Sequence, residues 1–159
     1  MLFLAPAALR GLDRHGLDDL LGRSELVVAF GEGEVHGLAA AALLFADYAV
    51  LREGATLTVD EPEAWAAVVW RLGRRAVAWA AKGQKQEDVI DETTDKAADE
   101  WREEWMRHRS VIALDAAASL IRSRGGDSLE RAEFARLFAI GEPQKGLGAF
   151  LAKVRPSYS

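Results

Sequence analysis

The stretch V-V-A-F-G-E-G-E-V-H-G-L-A-A-A-A-L-L-F-A-D-Y-A-V, residues 27–50, constrains the fold more than any other part of this chain. Residues 26–30 form a continuous apolar run between Ser24 and Gly31, which predicts a buried strand. Gly31 and Gly33, with a glutamate between them, predict a turn. Residues 37–45 are dominated by alanine and leucine, strong helix formers that also permit close packing, so a helix follows. Residues 48–51 read as the next strand. This order places the first half of the chain in the α/β class. A helix opening after a glycine turn is a natural anion site, and acid–base chemistry there needs a carboxylate within reach.

On either side of this unit the pattern is coarser. Residues 3–4 predict a short strand ended by Pro6. Residues 7–21 carry leucines at helical spacing, interrupted by Gly11 and Gly16. Residues 57–59 predict a further strand, and residues 61–81 a helix that breaks at Gly73. From Thr93 onward the pattern is all-helical. Ala97, Trp101 and Trp105 form an amphipathic stripe, and residues 111–121 make a second helix. Asp127 and Glu130 have capping-box spacing and open a third helix, through Ile140. Pro143 suits the first turn of a last helix, which runs to about Lys153. The expected division is an α/β core over residues 1–83 and a helical region over residues 84–159, together one domain.

At 159 residues with half of them hydrophobic, the chain can build a proper core. Its net charge of −5 argues against nucleic acid or an anionic membrane as the main partner. Cysteine is absent, which excludes thiol catalysis and thiolate metal sites. His15, His36 and His108 lie too far apart in sequence for a zinc-ligand pattern, so no metal site is expected. The apolar N-terminus has no basic lead, and the uncharged run 38–46 is too short to span a bilayer. A cytoplasmic protein is expected.

Several segments together resemble the crotonase (enoyl-CoA hydratase/isomerase) superfamily. G-E-V-H-G-L-A-A-A-A-L-L-F-A-D-Y-A-V is similar to that signature, N-G-x-A-x-G-G-G-x-E-L-A-L-A-C-D-x-x-x-A, without a gap when anchored on Asp47. F-L-A-P-A-A-L, residues 3–9, resembles F-x-A-G-A-D-L. R-L-G-R-R-A-V-A-W-A-A-K-G, residues 71–83, resembles R-L-x-G-x-x-x-A-x-x-L-x-x-T-G. The ending G-E-P-Q-K-G-L-G-A-F-L-A-K-V-R-P-S-Y resembles D-x-x-E-G-x-x-A-F-L-E-K-R-x-P-x-F. The resemblance implies a truncated crotonase-like α/β fold, a ββα-type core with a C-terminal α-helical trimerisation region. In the family, several strands precede the segment matched at Phe3, and they carry part of the acyl-CoA site.

The resemblance also implies a site. An oxyanion hole would be made by the backbone N–H groups of Ala7 and Leu38, preorganised where a thioester oxygen gains charge. His36 and Gly37 would line the ligand site, with acyl-CoA as substrate and no other cofactor. Hydration in the family uses two glutamates. The first falls at Ala41, which has no acid–base chemistry; the second falls at Glu61. Asp60 and Glu63 also have capping-box spacing around Pro62, so this acidic segment reads more readily as a helix start than as a catalytic position. Arg71, Arg74 and Arg75 read as a solvated face or as contacts for a CoA phosphate. The expected function is that of an enoyl-CoA hydratase relative with weak or no hydratase activity, assembled as a homotrimer or hexamer. The alternative is an acyl-CoA isomerase or hydratase-like enzyme working with one glutamate.

Overall fold

The computed structural model describes residues 1–123 and 126–158. It contains two compact units, one formed by Leu2–Arg23 and Val27–Ala98, the other by Met1, Ser24–Leu26 and the chain from Asp99 onward.

The first unit holds the α/β part. Its elements are β1 (Leu2–Leu4), α1 (Pro6–Arg10), α2 (Arg14–Leu21), β2 (Val27–Gly31), β3 (Glu34–Val35), α3 (Gly37–Phe45), β4 (Tyr48–Arg52), β5 (Thr56–Leu57), α4 (Pro62–Leu72), α5 (Arg75–Ala81) and β6 (Glu92–Thr94). Four strands form a parallel sheet in the order β1-β2-β4-β6, with Leu2 opposite Val27, Val28 opposite Tyr48 and Val50 opposite Glu92. A second parallel pair joins β3 to β5. Parallel neighbours need a crossover, and α3 supplies the one between β2 and β4.

The core of this unit lies around α3. Residues Ala40 to Leu44 are wholly buried, and every residue of β2 is buried with them. The alanines let α3 sit close to α4, α1, α2 and β2, while Leu43 and Leu44 each contribute about 1.5–3 kcal/mol of burial. Gly31 closes β2 rather than turning: a β-carbon there would meet Leu51 Cδ2 at 2.7 Å and Val35 Cγ2 at 3.0 Å. The turn falls to Gly33, at φ +70°.

Two aspartates fasten the sheet in the same way. Asp47 donates its N–H to the Val27 carbonyl at 2.9 Å and accepts from the Val27 N–H at 2.7 Å through Oδ2. One strand further, Asp91 donates to the Ala49 carbonyl at 2.9 Å and accepts from the Ala49 N–H at 2.7 Å. Each aspartate thus closes a two-bond ring where a strand begins. The Arg71 guanidinium pairs with Asp91 and also donates to the carbonyls of Leu44 (3.2 Å) and Ala46 (2.8 Å) at the end of α3. Arg71 is therefore a half-buried structural clamp rather than part of a solvated face; Arg74 and Arg75 are exposed.

Several expectations shift at the edges. The leucine-rich segment 7–21 breaks at Gly11 but not at Gly16, because Asp13 caps α2 by accepting from the Gly16 N–H at 2.8 Å. β6 lies within a stretch expected to begin the helices; it is a short polar edge strand, held in part by the Tyr48 hydroxyl donating to Glu92 at 2.9 Å. The break between α4 and α5 falls at Gly73, φ +53°, as expected.

The second unit is helical: α6 (Ala98–Arg107), α7 (Val111–Ser123), α8 (Asp127–Ala139) and α9 (Glu142–Leu151). Trp101 and Trp105 are buried with ring centroids 5.7 Å apart. Ser110 caps α7 through Ala113 N–H, 3.1 Å, and donates to the buried carboxylate of Glu142. Pro143 stands in the first turn of α9 as expected. The cap of α8 is Gly126, not Asp127, with the Leu129 and Glu130 N–H groups bonded to the Gly126 carbonyl. Among the described residues no helix is long and apolar enough to cross a membrane.

Candidate functional site

The first turn of α3 follows directly from its sequence. His36 is the extended residue before the helix and provides no side-chain cap. Gly37 takes φ +57°, a left-handed conformation that favours glycine. Leu38 is then the second residue of α3, where an N–H has no intrahelical acceptor. Ala7 holds the equivalent place in α1, after Pro6 has set the first helical φ. Helices α1 and α3 pack against one another. Between them lies a cleft of about 430 Å³ lined by Arg10, Glu34, His36, Gly37 and Leu38, with Leu9, Leu12 and Ala39 as apolar wall. His36, Gly37 and Leu38 thus line one cavity. Ala7 is exposed and Glu61 is exposed, and neither is among the lining residues.

The acids sort differently from the capping-box expectation. Glu61, not Asp60, is the residue before α4, because a residue that precedes proline is driven out of the helical region. It gives no side-chain cap. Glu63 instead pairs with Arg14 of α2. Asp60 turns the other way, and its Oδ1 accepts from the Gly37 N–H at 3.4 Å. Glu61 lies alongside: a β-carbon built on Gly37 would stand 3.9 Å from Glu61 Cγ. Asp60 and Glu61 both reach the start of α3, although they belong to the approach to α4.

Ala41 is wholly buried one turn further along α3, inside the apolar cluster that includes Leu17, Leu43 and Leu51. Its side chain has no solvent exposure. No group of acids and histidines among the described residues is placed to hold a metal ion.

This arrangement of parallel sheet, buried α3 and α1 recurs in solved structures. An enoyl-CoA hydratase subunit I from Geobacillus kaustophilus HTA426 superposes with a TM-score of 0.59 at 22% identity, covering 97% of this chain and 70% of that one. An enoyl-CoA hydratase/isomerase family protein from Hyphomonas neptunium gives 0.58 at 22% identity, over 91% of this chain and 64% of that one. An enoyl-CoA hydratase from Polaromonas sp. JS666 gives 0.58 at 19% identity, over 97% and 68%. The chain has the crotonase fold. The sequence itself matches no family model and no curated protein. The chain spans about two thirds of the length of these crotonase-fold structures.

Within this crotonase fold the sequence had already drawn attention to His36, Gly37, Leu38, Ala7 and Glu61. Sequence reasoning missed Asp60 as a partner of Gly37 and Arg10 in the cleft wall. For Arg10 the signal was weak: a lone arginine just before Gly11. For Asp60 the signal existed in Pro62, which hands the helix start to Glu61 and leaves Asp60 free to turn back.

Proposed function

We propose that this chain is a crotonase-superfamily protein whose α1–α3 cleft takes an acyl-CoA thioester and which hydrates enoyl-CoA weakly or not at all. The observation that carries this reading is the wholly buried Ala41. Hydration needs one group to activate water and one to move the proton onto the acyl chain. With alanine at the first position, and that position sealed in apolar core, the two-carboxylate arrangement has no first member. The remaining parts support binding. The Leu38 N–H, in the first turn of α3 and in the cleft lining, would offer a thioester oxygen a donor at the positive end of a helix. Arg10, in the cleft wall and without an ion pair among the described residues, supplies positive charge for a phosphate.

Self-association completes the proposal, as a homotrimer or a hexamer. It is supported by the apolar side chains that α8 and α9 leave in solvent: Phe134 is 62% exposed, Phe150 76% and Leu151 72%. Exposed patches of large apolar residues mark association surfaces. Sedimentation equilibrium tests the assembly; a monomer at micromolar concentration would remove it. Binding is tested by calorimetry with acetyl-CoA, for which no heat at millimolar ligand would remove the cleft as an acyl-CoA site.

A second reading is favoured by the position of Glu61 beside Gly37. An isomerase can work with one carboxylate that takes a proton from one carbon of the acyl chain and returns it to another, the oxyanion held by the Leu38 and Ala7 amides. Glu61→Gln decides it: an isomerase activity that survives this change does not use Glu61.

A further inference from the structure

We propose that His36 is the proton-transfer base of the α1–α3 cleft, with Glu34 as its supporting charge, and that it exchanges the α-protons of an acyl thioester without hydrating it. The inference rests on the acyl-CoA reading of the cleft and adds a residue and a reaction to it. Among the described residues, the cleft wall holds three side chains that carry or accept charge: Arg10, Glu34 and His36. Arginine stays protonated in proteins and cannot serve as a base. Imidazole is the side chain whose ordinary titration falls closest to neutral pH. Asp60 and Glu61 are not in the wall.

The fold aims Glu34 and His36 together. They flank Val35 on extended backbone, with β3 ending at Val35 and His36 at φ −144°, ψ 172°. Successive side chains on extended backbone point to opposite faces. Val35 is buried in the core, so Glu34 and His36 both face outward, on the cleft side. β5 fixes this register: Val35 lies opposite Leu57, and the Thr58 N–H donates to the Val35 carbonyl at 2.9 Å. Residues two apart on a strand are separated by about 7 Å, near enough for the carboxylate to favour an imidazolium. Leu38, two residues beyond His36, lines the same wall. A thioester oxygen on the Leu38 N–H brings the α-carbon, two bonds away, to that wall. The His36 nitrogen takes the α-proton, and the C–H electron pair forms the C1–C2 π bond as the carbonyl oxygen gains the charge. The imidazolium trades its proton with solvent and returns one to the α-carbon, which regenerates the thioester. No second carboxylate is needed, in keeping with buried Ala41.

The test follows deuterium uptake at the α-carbon of phenylacetyl-CoA in heavy water by mass spectrometry. That thioester has an activated α-carbon and no chain double bond to hydrate or shift. Wild type, His36→Gln, Glu34→Gln and Glu61→Gln are compared, with calorimetry on each for binding of the same thioester. His36 is exposed and caps nothing, so its variant is expected to fold, which thermal denaturation checks. The expected result is exchange above buffer in wild type and a loss of at least ~100-fold in His36→Gln, with its binding changed less than about threefold. Glu34→Gln should show a smaller loss. Exchange by His36→Gln at the wild-type rate overturns the inference, as does a loss confined to Glu61→Gln. Equal loss of binding and exchange in His36→Gln also overturns it, because His36 would then hold the ligand and move no proton. Wild type that binds phenylacetyl-CoA without exchanging it overturns the inference and leaves the acyl-CoA reading intact. If wild type and variants all fail to bind, the acyl-CoA reading fails and the inference falls with it.

Discussion

Glu61 runs beside Gly37: a β-carbon on that glycine would come to 3.9 Å from Glu61 Cγ, an ordinary van der Waals contact. Space is therefore not what keeps residue 37 a glycine; its φ of +57° is. Gly37→Ala is expected to lower stability by about 1 kcal/mol through backbone strain, with no steric clash. Urea unfolding of the variant checks this. A loss above ~3 kcal/mol would mean that the first turn of α3 is packed more tightly than described.

Ala41→Glu is the obvious attempt to rebuild a hydratase, and it is expected to fail. Position 41 is wholly buried among apolar side chains, with no cation or donor facing it in the core cluster. An unpaired carboxylate there costs several kcal/mol, or stays protonated. The expected outcome is a variant destabilised by at least ~3 kcal/mol with no gain in hydration. A folded variant that hydrates a short enoyl-CoA would show that α3 is set differently in solution.

Arg71 holds the end of α3 through two carbonyls and Asp91, with only 12% of its side chain exposed. Arg71→Ala leaves those carbonyls and Asp91 without their partner and is expected to destabilise by about 3 kcal/mol. Arg71→Lys keeps the charge but not the planar fork, so it should recover only part of the loss. Equal stability of the lysine variant and wild type, measured by thermal denaturation, would reduce the clamp to simple charge.

Buried Glu142 sets an acid limit on the helical unit. The Ser110 hydroxyl first, and the Lys145 ammonium next, hold its carboxyl below the ordinary glutamate value of 4.5, against the opposing effect of burial. A carboxylate whose folded pKa is depressed stabilises fully above its unfolded value. That stabilisation disappears as pH falls from about 4.5 through the folded pKa. Stability should therefore be nearly flat between about pH 7 and 5 from this group, then decline. Glu142→Gln should flatten the decline and cost ~1 kcal/mol at neutral pH. An unchanged acid slope in that variant would assign the slope to other carboxylates.

Much of this was legible in the sequence for identifiable reasons. The bounds of α3 follow from an uninterrupted alanine and leucine run, and the α4–α5 break from Gly73, which adopts a positive φ. β6 was not legible, because Glu92–Thr94 is a polar edge strand in an acid-rich stretch and pairs only with β4. The resemblance singled out His36, Gly37 and Leu38, which the structure puts in the wall of one cavity. It could not place Asp60, whose contact with Gly37 depends on how the approach to α4 folds back over the start of α3. Asp47 was legible as a signature position but not as what it does, which is to fasten the start of β2.

The most direct measurement is the rate at which the purified, correctly assembled protein hydrates a short trans-enoyl-CoA, followed by loss of the conjugated thioester absorbance. A chain with wholly buried Ala41 where the resemblance puts the first glutamate is expected to show no saturable hydration above background. Saturable turnover in the common enzyme range of roughly 1–1,000 per second would contradict the account.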